Sequence, residues 1–144
     1  WFLYTAAQSS YQQASLQETL SGVKVKDVMT KNIVMLNSSI TVDEAVNGYF
    51  LKYGYGGFPV LEDGRFLGII TLKEVRDVPR EVKVLNILIP RNSEWEVSSE
   101  DDTLKALELM IMKDKGRLAV TDNDKIIGLI TRNGIARYIQ IMEK

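Results

Sequence analysis

Apolar and polar residues alternate with a helical period at the start of the chain. Up to about residue 20 there is no glycine or proline, and an apolar stripe recurs at steps of three and four. The dipeptide Ser21-Gly22 then gives a helix stop signal. The pattern predicts a linker helix over residues 1–21 that packs on a symmetry mate or on the body of the domain. Its stripe consists of Tyr4, Ala7, Tyr11 and Ala14.

After this helix the pattern of apolar residues is written twice, about sixty residues apart. The stretch "VKDVMT" (residues 25–30) is echoed by "VLNILI" (residues 84–89). The longer stretch "FPVLEDGRFLGIIT" (residues 58–71) is echoed by "LAVTDNDKIIGLIT" (residues 118–131). An internal repeat of this period predicts two copies of one structural unit.

Each copy has an amphipathic helix between the two repeated stretches. Thr41 and Glu44 form a capping box at the start of the first helix. The acids 100–102 begin the second helix, where the helix dipole favours negative charge, and Gly116 ends it. The predicted buried faces are Val42, Ala45, Val46, Tyr49 and Phe50 in the first helix, and Leu104, Leu107 and Ile111 in the second.

Each longer stretch has the pattern of a β-hairpin that leads into a further helix. The strands are rich in β-branched residues, and the turns are Asp63-Gly64 and Asn123-Asp124. The following helices begin near Thr71 and Thr131.

Short strands over residues 34–36 and 95–97 complete the unit, which reads strand, helix, strand, strand, helix. The predicted fold class is therefore α/β, of the α+β kind, with the first copy over residues 22–80 and the second over residues 81–144. A linker region marked by Pro79 and Pro90 joins them.

A unit of about sixty residues buries too little surface to be comfortably stable alone. Two copies that pack their sheets against each other share one core. The positions expected in that core are Val60, Ile69 and Ile70, matched by Val120, Leu129 and Ile130.

The composition excludes several classes of function. The chain of 144 residues contains no cysteine and no histidine, which removes disulfides, thiolate chemistry and the commonest metal ligand and general base. Its net charge of -1 gives no electrostatic reason to expect nucleic acid as a partner. No nucleophile is paired with a base, so we expect no enzymatic activity and no catalytic or metal site in this chain.

The first residues, Trp1 to Tyr4, are apolar but too few to span a bilayer, and they lack the features of a signal peptide. They are compatible with the end of a membrane helix that lies upstream.

Thr71 and Thr131 each lie where a strand leads into a helix. Free backbone N–H groups and the positive end of the helix dipole make such a position favourable for an anion. Glu74 follows the first threonine by three residues, whereas Gly134 follows the second. Thr71-x-x-Glu74 is also the pattern of a capping box, so a purely structural role remains open.

The order and spacing of "VKDVMT", the helix, "GGFPVLEDGRFLGIIT" and their repeats resemble a CBS domain pair, or Bateman module, over residues 22–144. The resemblance implies two α/β repeats related by pseudo-twofold symmetry, commonly assembled into a disc-like homodimer. It implies a regulatory role without a required cofactor, with AMP, ADP or ATP as a ligand in clefts between the repeats.

The family's phosphate and ribose motif is threonine or serine with aspartate three residues later. The resemblance assigns Thr71 and Glu74 to it in the first copy, with glutamate in place of aspartate. In the second copy it assigns Thr131, with Arg132 as a phosphate contact, but Gly134 removes the ribose acceptor. We therefore expect asymmetric binding. The resemblance also places Thr30, Ile33, Gly57, Phe58 and Pro59 along the ligand cleft.

Structural alternatives remain for the last group and for Trp95. Residues 30–33 also read as a plain loop, and the glycines before Phe58 also suit a helix-to-strand turn. Trp95 would either stack on an adenine or point into the core, and the core is the more common environment.

The first thirty residues resemble the connection between the last membrane helix and the CBS pair in prokaryotic site-2 protease homologues of the M50 family, which are intramembrane zinc metalloproteases. The HExxH motif is absent. This resemblance implies a regulatory tail on the cytoplasmic side of a membrane, attached to the membrane-embedded part of the same polypeptide. The alternatives are a dimerisation platform that binds no ligand, and a CBS regulator of a transporter or metabolic enzyme.

Overall fold

The computed structural model of the chain describes residues 16–143. The stripe from Tyr4 to Ala14 lies outside these residues. Within them no helix is long and apolar enough to cross a membrane. The helices are α1 (16–20), α2 (Val25–Val28), α3 (Val42–Ala45), α4 (Leu51–Tyr53), α5 (Leu72–Arg76), α6 (Thr103–Met112) and α7 (Arg132–Met142), with a π-helical turn at Val46–Phe50 and a 3-10 turn at Val84–Asn86. The strands are β1 (Leu36–Asn37), β2 (Gly57–Glu62), β3 (Arg65–Thr71), β4 (Ile89–Pro90), β5 (Glu96–Val97), β6 (Arg117–Asp122) and β7 (Lys125–Thr131).

Two sheets form, in the order β1-β2-β3-β4 and β5-β6-β7. We call the first sheet with α3, α4 and α5 the first half, and the second sheet with α6 and α7 the second half. In each half the short strand is parallel to the next, and a hairpin follows whose turn has positive φ at both central residues. That turn geometry matches the twist of the strands, so both predicted hairpins form.

The start of each sequence copy packs on the opposite half. Residues 20–30, which we call the strap, contribute Leu20 and Val25 to the second core, and the Val25 N–H donates to the carbonyl of Asp101 at 2.9 Å. The matching segment, residues 82–90, serves the first half, where the Val84 N–H donates to the carbonyl of Ile40 at 2.9 Å. The bounds 22–80 and 81–144 therefore describe units of sequence, and they stay a prediction for the folding units.

Each half has its own apolar core, and a third cluster joins the halves. The first core contains Leu36, Val42, Ala45, Phe50, Phe58, Val60, Ile70, Val75 and Val84. The second contains Leu20, Val25, Val97, Ala106, Met110, Leu118, Val120, Ile130 and Ile135. The joining cluster contains Phe66, Ile69, Trp95 and Ala119, with Leu129 packed against it.

The predicted face of α6 is partly wrong. Ile111 is 61% exposed, whereas Ala106 and Met110 are buried. Thr103, Ala106 and Met110 are spaced by three and four residues, so they form the stripe that faces the sheet. The sequence reasoning weighted large side chains and overlooked the small residues that permit close packing. The capping box at Thr41 and Glu44 does form, with N–H···O distances of 3.2 and 3.4 Å.

The helix of the first half contains one residue more than its counterpart. It runs from the N-cap Thr41 to the left-handed residue Gly54, whereas α6 runs from the N-cap Asp102 to the left-handed residue Asp114. A single extra residue widens one turn of an α-helix into a π turn, which here lies at Val46–Phe50.

Arg91 links the two halves near the joining cluster. Its Nε and Nη2 donate to the two carboxylate oxygens of Glu96 at 3.0 and 2.8 Å. Its guanidinium carbon lies 5.3 Å from the centre of the Phe66 ring, which belongs to the first half. A two-point contact of this kind fixes orientation better than a single ion pair.

We expect Arg91→Ala to lower the free energy of unfolding by about 2 kcal/mol, because Glu96 is mostly buried and would lose its cation. Arg80→Ala is the matched control, since the Arg80–Asp43 pair is exposed and should contribute less than about 0.5 kcal/mol. Urea unfolding of both variants makes the measurement. Equal losses would show that Arg91 does not link the halves.

Candidate functional site

The candidate site lies at the edge where the two hairpins begin and end. Gly57 pairs with Thr71 in the first half, and Arg117 pairs with Thr131 in the second. The carbonyl of Gly56 accepts from the N–H of Leu72 at 3.2 Å, and the carbonyl of Gly116 accepts from the N–H of Arg132 at 3.1 Å. The same backbone arrangement therefore presents two threonines, each at the start of a helix.

The Glu74 carboxylate turns back onto the start of its own helix. Its Oε1 accepts from the Thr71 N–H at 2.6 Å and from the Thr71 hydroxyl at 2.7 Å. This is the capping interaction that the sequence left open as an alternative. A ribose contact from Glu74 stays a prediction, and it requires the carboxylate to leave this position.

Thr131 also caps its helix, but without a carboxylate. Its Oγ1 accepts from the Gly134 N–H at 2.8 Å. A Cβ built on Gly134 would lie 3.0 Å from that Oγ1 and 3.9 Å from the carbonyl oxygen of Val28. A side chain at position 134 would therefore extend towards the strap.

Arg132 closes the C-terminal end of α6. Its Nε donates to the carbonyl of Lys115 at 2.9 Å, and its Nη2 donates to the carbonyl of Met110 at 2.8 Å. Both nitrogens are thus bonded to backbone carbonyls at a helix end, a favourable place for a cation. The phosphate contact predicted for Arg132 stays a prediction.

Thr30 lies beside the strand that leads to Thr131, whereas a ligand contact of Ile33 stays a prediction. Thr30 and Leu129 exchange two backbone hydrogen bonds of 2.8 and 3.0 Å, two residues before Thr131. Thr30 is exposed and Ile33 is half-buried. The structure therefore brings the loop of the first copy together with the threonine of the second copy.

Gly57, Phe58 and Pro59 are buried. The Phe58 ring belongs to the first core, where it meets the Phe50 ring edge-on at 5.0 Å between centres. Trp95 lies in the joining cluster, and the Lys115 ammonium is 4.3 Å from its ring centre. These environments support structural roles for Phe58 and Trp95, and the ligand contact of Phe58 stays a prediction.

Sequence reasoning missed Arg117, the most informative side chain of the site. A Cβ on Gly56 would lie 2.6 Å from its Nη2, and a Cβ on Gly57 would lie 2.7 Å from its Nη1. The guanidinium therefore crosses from the second half to the first and occupies space that only glycines leave open.

Arg117 has no counter-charge among residues 16–143. Burial alone lowers the pKa of its guanidinium, and no carboxylate raises it. No described residue hydrogen-bonds or ion-pairs with its side chain. A signal was present in the sequence, because Arg117 is the counterpart of Gly57 when the two copies are aligned on their hairpins.

We expect Arg132→Ala to lower the free energy of unfolding by about 1 kcal/mol, because the carbonyls of Met110 and Lys115 each lose a hydrogen bond from the guanidinium. Arg137→Ala, an exposed change on the same helix, should have little effect on stability. Thermal unfolding makes the comparison. A variant as stable as the control would show that Arg132 does not stabilise the helix end.

A protein-family model described as CBS domain matches residues 25–81 and again residues 91–141. Among curated proteins, Rip3 of Mycobacterium tuberculosis is 27% identical over 147 residues, which cover 98% of this chain and 37% of Rip3. MJ0392 of Methanocaldococcus jannaschii, named a zinc metalloprotease, is 28% identical over 142 residues, which cover 99% of this chain and 40% of MJ0392. The chain thus spans about two fifths of the length of these relatives.

Two solved structures share the fold. CBSX2 in complex with AMP has a TM-score of 0.75 at 23% identity, with 85% of this chain and 100% of that chain covered. The CBS domain of a bacterial CNNM/CorC family Mg2+ transporter in complex with ATP has a TM-score of 0.75 at 18% identity, with 90% and 97% covered. The predicted tandem α/β architecture is confirmed.

Proposed function

The chain belongs to the CBS domain family, and on that premise we propose that it is a regulatory module that binds an adenine nucleotide, AMP, ADP or ATP, between its two halves. A CBS domain pair is a regulatory module and not a catalytic one. The metalloprotease name of MJ0392 belongs to a longer chain, of which this chain spans 40%.

The Arg117 guanidinium carries this proposal. A half-buried cation without a carboxylate is unfavourable, and an anion that reaches it restores the lost electrostatic energy. A planar guanidinium matches a phosphate group with two parallel hydrogen bonds. Its position supports such a contact, because Arg117 pairs with Thr131 and its tip lies at the glycines beside Thr71.

The two sides of the cleft differ in their ability to bind a ribose. The Thr71 side offers the Glu74 carboxylate, which accepts two hydrogen bonds at its present position and would exchange them for two ribose hydroxyls. The Thr131 side has Gly134 and no acceptor at that position. We therefore propose one competent nucleotide site on the Thr71 side and a weaker one on the Thr131 side.

We further propose that the module controls a membrane-embedded part of the same polypeptide, an intramembrane protease, from the cytoplasmic side. The relative named a zinc metalloprotease, matched over 99% of this chain, supports this assignment. We also propose that two modules form a homodimer through their helices. Leu51 and Ile111 occupy matching positions in the two halves and are 73% and 61% exposed, which supports an apolar contact there.

A dimerisation platform that binds no ligand is the second candidate function. The observation in its favour is the capping interaction at Thr71, where the Glu74 carboxylate already accepts hydrogen bonds from the Thr71 N–H and hydroxyl. The two candidates differ in what they predict for nucleotide binding.

Thermal unfolding with AMP, ADP and ATP in separate series tests the proposal. At a hundredfold excess over the dissociation constant, one of them should raise the Tm by roughly 5–10 °C. Arg117→Gln should abolish the shift, and it should not lower the Tm without ligand, because it removes an uncompensated charge. Arg137→Gln is the matched control and should keep the shift. The absence of a shift with every nucleotide favours the platform, and a full shift in Arg117→Gln rejects this site.

Restoring the missing acid should complete the second site. Gly134→Asp places a carboxylate three residues after Thr131, and the nearest atom to its Cβ is the Thr131 Oγ1 at 3.0 Å, which needs only a small displacement. We expect the nucleotide stoichiometry in titration calorimetry to rise from one to two per chain. Gly134→Ala, which fills the same space without a carboxylate, should leave it at one. An unchanged stoichiometry in Gly134→Asp would contradict the assigned role of this position.

A further inference from the structure

The strap, residues 20–30, is part of the second half although it precedes the first half in sequence. Leu20 and Val25 are 1% and 0% exposed in the second core. The Val25 and Lys26 N–H groups donate to the carbonyls of Asp101 and Ser99 at 2.9 and 3.0 Å. The described residues just before the strap continue from the second half, where Leu16 packs against the same core.

The far end of the strap contacts the strand that leads into the candidate site. Thr30 is bonded to Leu129 of β7, whose last residue is Thr131. A Cβ on Gly128 would lie 2.7 Å from the carbonyl oxygen of Thr30 and 3.0 Å from the Sδ of Met29. The strap thus approaches β7 as closely as a glycine permits.

The strap is attached differently from its counterpart. The Val84 and Leu85 N–H groups of residues 82–90 donate to the carbonyls of Ile40 and Ser38, which repeats the backbone bonds of the strap. The strap has two additional ion pairs, Lys24–Asp102 at 2.9 Å and Lys26–Glu100 at 2.7 Å.

In residues 82–90, Lys83 corresponds to Lys24, but its backbone pairs with Thr41, which carries no charge. Leu85 corresponds to Lys26, so neither ion pair has an equivalent in that segment. Exposed ion pairs stabilise weakly and are screened by salt. The strap is therefore attached by interactions that are easily reversed, in addition to its buried anchors.

We propose that the strap opens as a separate unit and that its docking is coupled to nucleotide binding, so that the ligand acts on the chain N-terminal to residue 20 through the strap. The coupling rests on the proposed function. Its physical route runs from Arg117 to its pairing partner Thr131, along β7 to Leu129, and from Leu129 to Thr30. Such coupling is reciprocal, so a loosened strap must also weaken nucleotide binding.

Residue-resolved hydrogen exchange on the whole chain tests the separate opening. In Lys24→Ala/Lys26→Ala, the amides of Val25 and Thr30 should exchange roughly fivefold faster at low salt. The amides of Val84 and Leu85 make the same backbone hydrogen bonds in residues 82–90, and their exchange rates should be unchanged. Lys83→Ala is the matched control and should accelerate neither set. If exchange accelerates equally in the strap and in residues 82–90, or does not accelerate in the strap, the separate opening is overturned.

The same measurement with AMP and with ATP tests the coupling. The nucleotide that raises the Tm should slow exchange at Val25 and Thr30 severalfold, and the double lysine variant should bind it more weakly. A Tm shift without any change in strap exchange overturns the coupling but leaves the proposed function intact. If no nucleotide shifts the Tm, the proposed function and the coupling fail together, while the variant comparison still decides whether the strap opens alone.

Discussion

Neither of the two sequence copies completes its own core, and the rest of the structure depends on that constraint. A unit of about sixty residues buries too small a fraction of its surface to be more than marginally stable alone. The start of each copy therefore packs in the core of the other half. The strap supplies Leu20 and Val25 to the second core, and residues 82–90 supply Val84 to the first. The joining cluster around Trp95 then closes the remaining apolar surface. Each sequence copy without the start of the other would lack part of its core.

The difference between the two copies determines where a charge is placed. Arg117 is the counterpart of Gly57 when the copies are aligned on their hairpins. Its guanidinium reaches the first half and fills the space that Gly56 and Gly57 leave. The repeat thus gives the two halves the same backbone, whereas the departure from the repeat puts a positive charge between them.

Local features were predictable from sequence and long-range ones were not. The hairpins, the capping box at Thr41 and the helix stop at Gly22 depend on residues a few positions apart, and all of them form. The exchange of segments depends on contacts such as Thr30 with Leu129, about a hundred residues apart, which no local pattern contains. Two arginines of the second copy show the same limit. Sequence reasoning chose Arg132, which adjoins Thr131, but its guanidinium is bonded to the carbonyls of Met110 and Lys115, whereas Arg117 lies against the glycines before Phe58.

The π turn at Val46–Phe50 makes the helices of the two copies unequal in length. Removing one residue there would rotate everything that follows in the helix by about 100° about its axis. The Tyr53 ring, now 6.2 Å from Phe58 between centres, would leave it, and Gly54 would no longer stand at the left-handed position that ends the helix. The packing around Phe58 therefore requires the extra residue. The first helix cannot be replaced by the length of α6 unless the first core repacks, so the two copies are not interchangeable.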